Sequence, residues 1–320
     1  IRSDDLSSLI LKALLERNRS LSPKNIEDVV IGCAFPEGPQ GMLLSRGVSI
    51  LSDIPKEAAA KVVNRFCGSS MDAIHQVSQA IDSGDIECGI AGGVEDMFGV
   101  PMGGFNPDFN PELYEREYYI GMGETAENLA SELSISREEQ ENFAVESHKK
   151  ALNAIEQGLF KNEIIPIDFN GETVSRDEGP RKPDIEKIKS LDPAFDVDGT
   201  ITPATSSPIS IGASVALMLS EDLAKKIGIE YEFKIIARSV AGVDWKIMGS
   251  GPIPATEKAL EKAGLTMDQI DVIELNEAFA AQSLYVIKKG GWDERKINLN
   301  GGAIALGHPL GCSGSRIIGT

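Results

Sequence analysis

Lys12-Ala13-Leu14-Leu15-Glu16, Leu21-Ser22 and Ile26-Glu27-Asp28-Val29-Val30 follow one another near the start of the chain. Far downstream, Lys258-Ala259-Leu260-Glu261, Leu265-Thr266 and Ile270-Asp271-Val272-Ile273 repeat their order and residue types. Each copy predicts helix, turn and buried strand. In the first, Leu6, Leu9, Ile10, Ala13 and Leu14 recur at helical spacing, with Asp4 or Asp5 available as cap, and Ile26 to Ile31 is the strand. The likeness continues. The first copy goes on to Phe66-Cys67-Gly68-Ser69-Ser70-Met71 and the second to Gly311-Cys312-Ser313-Gly314-Ser315-Arg316, each after an apolar run, Lys61 to Val63 or Ile297 to Leu299. Each is a small-residue turn that opens a helix, with Met71, Ile74, Val77 and Ile81 as the first helix's stripe. An internal repeat of alternating helix and strand predicts two similar α/β halves, each a sheet covered by helices.

Between them the texture changes. Residues 99–199 are rich in Pro, Gly, Asn and acidic side chains, as in Phe105-Asn106-Pro107-Asp108-Phe109-Asn110-Pro111. Within this stretch Ser136, with Glu139 three residues on, marks the capped start of a polar helix to Gln157. We read 1–98 with 200–221 as the first half, 99–199 as an inserted lid-like loop domain, and 222–320 as the second half. Val215 to Leu219 is an apolar run that returns to the core sheet.

The 320 residues, 42% hydrophobic and 25% charged, are enough for a large core or two smaller ones and exclude disorder. A formal net charge of −18 argues against nucleic acid or an anionic membrane as partner, and a small anionic ligand then requires a local basic patch. No stretch approaches a membrane span. The four cysteines, Cys33, Cys67, Cys88 and Cys312, are too scattered for a disulfide framework or a metal site, which points to a reducing, cytoplasmic setting. Residue 1 is Ile, and Thr320 falls within the first turns of a helix, so both ends read as cut.

Cys67 is placed between a strand and a helix N-terminus among small residues. That position favours thiolate over thiol and suits a nucleophile, although a buried small residue at a tight turn fits as well. Of three histidines, His75 and His148 lie on predicted helices, whereas His308 stands in the glycine-rich run Gly301 to Gly311, where a base is needed. Asn276 ends the second-half strand at the carboxyl edge of its sheet, either as a helix cap or as a polar group aimed at a substrate carbonyl.

Cys67-Gly68-Ser69-Ser70-Met71, Gly92-Gly93-Val94-Glu95-Asp96-Met97, Asn276-Glu277-Ala278-Phe279 and Asn300-Gly301-Gly302-Ala303 through Gly307-His308-Pro309 together resemble the motif set of the thiolases. In order and spacing they are most similar to the degradative 3-ketoacyl-CoA thiolases (acetyl-CoA acyltransferases). The resemblance runs from Asp5 to Ser315. It implies the thiolase fold, two βαβαβαββ halves with mixed five-stranded sheets plus the loop domain, here without the first strand and the last strands of the second half. It implies thiolytic cleavage of a 3-ketoacyl-CoA to acetyl-CoA and a shortened acyl-CoA in fatty-acid β-oxidation, with no resident cofactor or metal and with coenzyme A as co-substrate.

Carried over by motif, Cys67 corresponds to the nucleophile, His308 to its base, and Asn276 to the holder of an oxyanion-hole water shared with His308. The backbone N–H of Cys67 belongs to a second oxyanion hole. Arg181, in Asp177-Glu178-Gly179-Pro180-Arg181, corresponds to a contact with the adenine end of CoA, and with Lys182 it supplies a basic patch, though a solvated surface pair also fits. Ser207 corresponds to a pantetheine contact and Met122 to a wall of the acyl channel. Pro208 and Ile211 depart from the family pattern, and the family's second catalytic cysteine, in a Cys-x-Gly loop, has no counterpart. Cys312 reads as a packing residue, Cys88 as a strand residue and Cys33 as a strand end. The resemblance further implies a homodimer or dimer of dimers, with a β-oxidation partner subunit a possibility. Three alternatives stand beside this reading: a truncated thiolase-fold protein that binds acyl-CoA or a partner without full turnover, a biosynthetic acetoacetyl-CoA thiolase, and a condensing enzyme of the ketoacyl synthase type. The last is disfavoured because it needs a second catalytic histidine.

Overall fold

The computed structural model describes residues 1–320. In chain order it begins with α1 (Ser3–Arg17), β1 (Asp28–Gly32), α2 (Leu44–Leu51), β2 (Ala59–Val63), α3 (Ser69–Ser83) and β3 (Cys88–Asp96). Then come α4 (Pro111–Glu115), α5 (Met122–Glu132), α6 (Arg137–Glu156), the strands β4 (Ile167–Phe169) and β5 (Glu172–Val174), and α7 (Ile185–Lys189). After β6 (Ile211–Leu219) and α8 (Glu221–Ile227) the chain is helical in α9 (Pro252–Ala263), α10 (Ala280–Gly290), α11 (Ala303–Leu306) and α12 (Ser313–Gly319).

The first half is built on β1. Its apolar run is buried on both faces: Val29 and Ile31 join Leu11, Val48 and Ile90, while Val30 joins Ala73, Ile74 and Val77 of α3. A strand covered on both sides takes a continuous apolar sequence and belongs inside a parallel sheet. The sheet order is β2-β1-β3-β6, with β1 parallel to both neighbours (Val30 pairs Lys61 and Ala91) and β6 antiparallel to β3. At Gly32 the N-terminal turn of α3 lies directly on the strand, where any Cβ would overlap the backbone of Ser69 and Ser70. That approach carries the residues just before α3, Cys67 among them, to the carboxyl edge of the sheet.

The first sheet has the four strands that a five-stranded sheet keeps without its first, and β6 is an edge strand, only half-buried. Other expectations are corrected. The second half contains no strand ladder, only one parallel bridge between Ile273 and Ile297. In the first half β1 has partners on both sides; in the second, Ile273 has a neighbour on one side only, and residues 234–241 form no strand, with Ile236 66% exposed. In α1 the buried residues are Leu6, Ile10 and Leu11 with Ser3, Ser7 and Ser8, and Leu9 faces solvent. No side chain caps that helix; Asp4 and Asp5 sit inside its first turn, where negative charge complements the helix dipole.

The insertion is anchored rather than loose. Ala126, Leu129 and Ala130 of α5 share a core with Ala281, Leu284 and Tyr285 of α10. The expected box at the start of α6 is present: Glu139 N donates to Ser136 Oγ (3.2 Å) and Ser136 N donates to Glu139 Oε2 (2.8 Å).

Candidate active site

The turn that carries Cys67 is held by side chains on both flanks. Asn64 accepts from Phe66 N (2.8 Å) and donates to the Ala34 carbonyl (2.9 Å). Ser69 Oγ accepts from Arg65 N (2.9 Å) and donates to the Phe66 carbonyl (2.6 Å). These bonds keep Phe66 at φ +45°, left-handed backbone that costs a bulky residue about 1–2 kcal/mol. Cys67 itself is half-buried, and burial pushes its thiol up to about 11; a bond from its own backbone N–H opposes the rise and the charge of Glu95 adds to it. The expectation of a lowered pKa fails, because dense packing round the sulfur outweighs the helix N-terminus behind it. At neutral pH the site holds a thiol.

His308 is 3% exposed. Its Nδ1 lies 2.6 Å from Ser313 Oγ and its Nε2 3.3 Å from the Asn276 amide nitrogen. Burial, with the Arg316 charge adding to it, pushes the imidazole down to about 4, so it is neutral and free to accept a proton. Asn276 is not a helix cap: α10 begins at Ala280, with Phe279 in the cap position. Its Oδ1 is buried without a partner.

What seats the His308 loop against the first half is a pair of residues from the Gly92 to Met97 motif, Glu95 and Gly93, which the sequence motif left without a role. Glu95, 1% exposed, accepts from Ala34 N (2.7 Å), Phe35 N (3.2 Å) and Gln40 Nε2 (2.9 Å), and across the halves from Gly311 N (2.9 Å). Beside it Gly93 lies so close to Gly311 that a Cβ would overlap the Gly311 carbonyl oxygen. One turn further on, Ser315 N donates to Ser70 Oγ (2.8 Å), and α12 packs against α3 and the Cys67 turn. The 308–316 segment is thereby laid on the element that carries Cys67. The available signal was the acidic pair Glu95-Asp96 that ends the small apolar run Ile90 to Val94.

In the second half Glu277 plays a similar part: buried, it accepts from Ser147 Oγ (2.7 Å), Asn298 Nδ2 (2.8 Å) and Ile304 N (3.2 Å). Ser207 N donates to the Ala278 carbonyl (3.0 Å), and Ser210 Oγ accepts from His308 N (3.2 Å), so residues 207–210 bridge the Asn276 segment and His308 despite Pro208 and the neighbouring Ile211.

The other carried-over residues stand further out. Arg181 is exposed and without an ion pair; its N–H donates to His148 Nδ1 (3.4 Å), and Gly179 lies against the Ala305 carbonyl just ahead of His308. Met122, at the start of α5, is 45% exposed and shares no bond with Cys67, His308 or Asn276. Cys312 is buried, and its thiol is pushed up to about 12, chiefly by that burial. No three His, Cys, Asp or Glu side chains are grouped to hold a metal ion, and no helix is long and apolar enough to cross a membrane.

Residues 1–222 match the family described as the N-terminal domain of thiolases, and residues 230–320 match the thiolase C-terminal domain. The chain belongs to the thiolase family. Within this family it is 48% identical, over 99% of its length and 85% of the relative's, to the 3-ketoacyl-CoA thiolase of Shewanella loihica. With the protein of the same name from Shewanella denitrificans the identity is 49%, over the same shares of both chains. Its fold is the thiolase fold. The crystal structure of the Bacillus anthracis acetyl-CoA acetyltransferase superposes with a TM-score of 0.90 at 36% identity, covering 100% of this chain and 85% of that one.

Proposed function

We propose that this protein is a 3-ketoacyl-CoA thiolase working in the degradative direction of fatty-acid β-oxidation. Cys67 attacks the 3-keto carbon and His308 Nε2 takes the thiol proton. The C2–C3 bond then breaks with its electron pair left on C2, acetyl-CoA departs as the enolate and takes up a proton, and the shortened acyl group stays on sulfur. Coenzyme A, the co-substrate, then attacks the thioester carbonyl: its sulfur bonds the acyl carbon, the bond from that carbon to Cys67 sulfur breaks, and the CoA thiol proton ends on the Cys67 sulfur. Covalent catalysis divides one difficult carbon–carbon cleavage into two easier steps. Asn276 orients a water at the substrate carbonyl, a role supported by its buried, unpartnered Oδ1. Arg181, Ser207 and Met122 line the path of CoA at its adenine, pantetheine and acyl portions.

The observation that carries this reading is the neutral His308 ring, fixed between Asn276 and Ser313 on a segment seated against the Cys67 turn. A thiol with a raised pKa needs such a base at the moment of attack. The exposed β2 edge beside that turn supports association as a homodimer, and the scattered reduced cysteines support a cytoplasmic location.

The test is acylation. Incubation with acetoacetyl-CoA followed by peptide mass spectrometry is expected to find an acetyl group on Cys67, lost in Cys67→Ala and in His308→Asn. A label elsewhere, or none, overturns the proposal. A series of 3-ketoacyl-CoA chain lengths separates it from a biosynthetic acetoacetyl-CoA thiolase, which accepts only the shortest.

A further inference from the structure

His308 is held at both ring nitrogens, and the two partners differ in kind. Ser313 Oγ lies 2.6 Å from Nδ1 and also 3.1 Å from the Pro309 carbonyl oxygen. The Pro309 carbonyl also accepts from Cys312 N (2.9 Å) and Ser313 N (3.0 Å), so the Ser313 hydroxyl, a donor and an acceptor, fits either tautomer and the choice falls to the other ring nitrogen. On the opposite side of the ring the Asn276 amide nitrogen, a donor, faces Nε2 at 3.3 Å, which leaves Nε2 its lone pair. The Asn276 contact therefore selects the Nδ1–H tautomer, and Ser313 Oγ accepts that hydrogen while its own turns to Pro309.

We propose that Ser313 is a positioning residue for acyl transfer, fixing His308 as the Nδ1–H tautomer so that Nε2 is the atom that takes the Cys67 proton. The inference rests on the assignment of His308 as the base. In the step itself the S–H bond breaks, sulfur keeps the electron pair for its new bond to the 3-keto carbon, and the proton goes to Nε2. Nδ1–H stays bonded to Ser313 throughout, so the ring does not turn as it becomes an imidazolium. A neutral hydroxyl orients the ring without the charge of a carboxylate partner, which agrees with an imidazole that stays neutral in the resting site. Ser313 is itself well anchored: it is 2% exposed, Gly314 lies against the backbone of Met71, and Ser315 N is bonded to Ser70 Oγ at 2.8 Å. The group that aligns the base is thus tied to the helix that follows the nucleophile.

The test pairs a spectroscopic readout with kinetics. In protein labelled with 15N-histidine, the His308 signals, identified by their absence in His308→Asn, are expected to report Nδ1–H, and Ser313→Ala is expected to mix the tautomers. The maximal rate of Cys67 acylation by acetoacetyl-CoA should fall about 10–100-fold in Ser313→Ala, with the half-saturating concentration within about twofold. Ser313→Thr, which keeps the hydroxyl, should recover most of that rate. Alkylation of Cys67 by iodoacetamide at pH 9, which needs no base, should be unchanged. A wild-type Nε2–H signal overturns the proposal, as does a Ser313→Ala protein with wild-type tautomer and rate. A loss that Thr does not rescue, or that alkylation shares, is structural and overturns it as well. Should the wild-type protein not be acylated at all, the thiolase reading falls, and the tautomer measurement still decides the role of Ser313.

Discussion

Replacing Glu95 by glutamine changes almost no volume and removes one charge, so its effect isolates what the carboxylate does. Two effects compete. Removing a buried charge relieves desolvation and favours the variant. Against that, four of the five hydrogen-bond donors around the carboxylate are N–H groups, two on each oxygen: Ala34 N and Gly311 N on Oε2, Phe35 N and Gln40 Nε2 on Oε1, the fifth being the Cys33 thiol 3.7 Å from Oε1. A glutamine offers one accepting oxygen and one NH2, and whichever way it turns, two donors face a donor. Hydrogen bonds to a charged group contribute about 1.5–3 kcal/mol each, so losing two costs about 3–6 kcal/mol. At roughly 2–4 °C per kcal/mol, Glu95→Gln should melt about 6–24 °C below wild type. Amide hydrogen exchange should speed up at Ala34, Phe35 and Gly311 in particular, because those donors lose their acceptor. Acylation of Cys67 should fall too, since Gly311 anchors the loop that carries His308. A Glu95→Gln protein that melts with wild type, or above it, would show that desolvation of the charge outweighs its bonds and would refute this reasoning.

Two further outcomes follow from the pKa shifts. With its thiol pushed up to about 11, Cys67 in the free protein should be alkylated by iodoacetamide about tenfold faster for each pH unit between 7 and 10. A plateau reached by pH 7 would instead mean a preformed thiolate–imidazolium pair. His148, 5% exposed and pushed down to about 4 mainly by burial, binds its proton near pH 6.5 when unfolded but not when folded, so it withdraws stability as pH falls from 6.5 to 4. The loss amounts to about 3 kcal/mol. Glu274, pushed up to about 7, acts in the opposite sense, so the measure is the difference between wild type and His148→Gln in unfolding free energy across that range. Parallel curves would refute it.

What the sequence disclosed was mostly local. The Ser136–Glu139 box, the β1 run and the α3 stripe each depend on residues within a few positions of one another, and all three are present. The repeat was legible too, but a repeat of residue types specifies where a strand belongs and not whether a neighbour will pair with it, so the second half kept the order of the first without its ladder. Leu9 shows the same limit at small scale, since helical spacing admits two adjacent stripes and only packing on β6 and α2 selects one. Cys67 and His308 stood out through their glycine-rich settings. The pKa of Cys67 was misjudged because a helix N-terminus is visible in sequence whereas packing from distant segments is not. Glu95 and Ser313 stand in recognisable stretches, yet their roles are illegible there for a related reason: their meaning lies in contacts with Gly311 and with a ring nitrogen, and neither contact exists until the chain has folded.

The close seating of Gly311 against Gly93 and Glu95 also sets an order of events in time. His308 is synthesised 241 residues after Cys67. At about 5–20 residues per second a ribosome takes about 12–50 s to cover that distance. During this interval the first sheet can form, yet Glu95 lacks its donor from Gly311 and Cys67 has no base at hand. On the proposed mechanism a nascent first half is silent towards acyl-CoA, and Cys67 meets its base only when the segment around Gly311 reaches the place kept open by a missing side chain at residue 93.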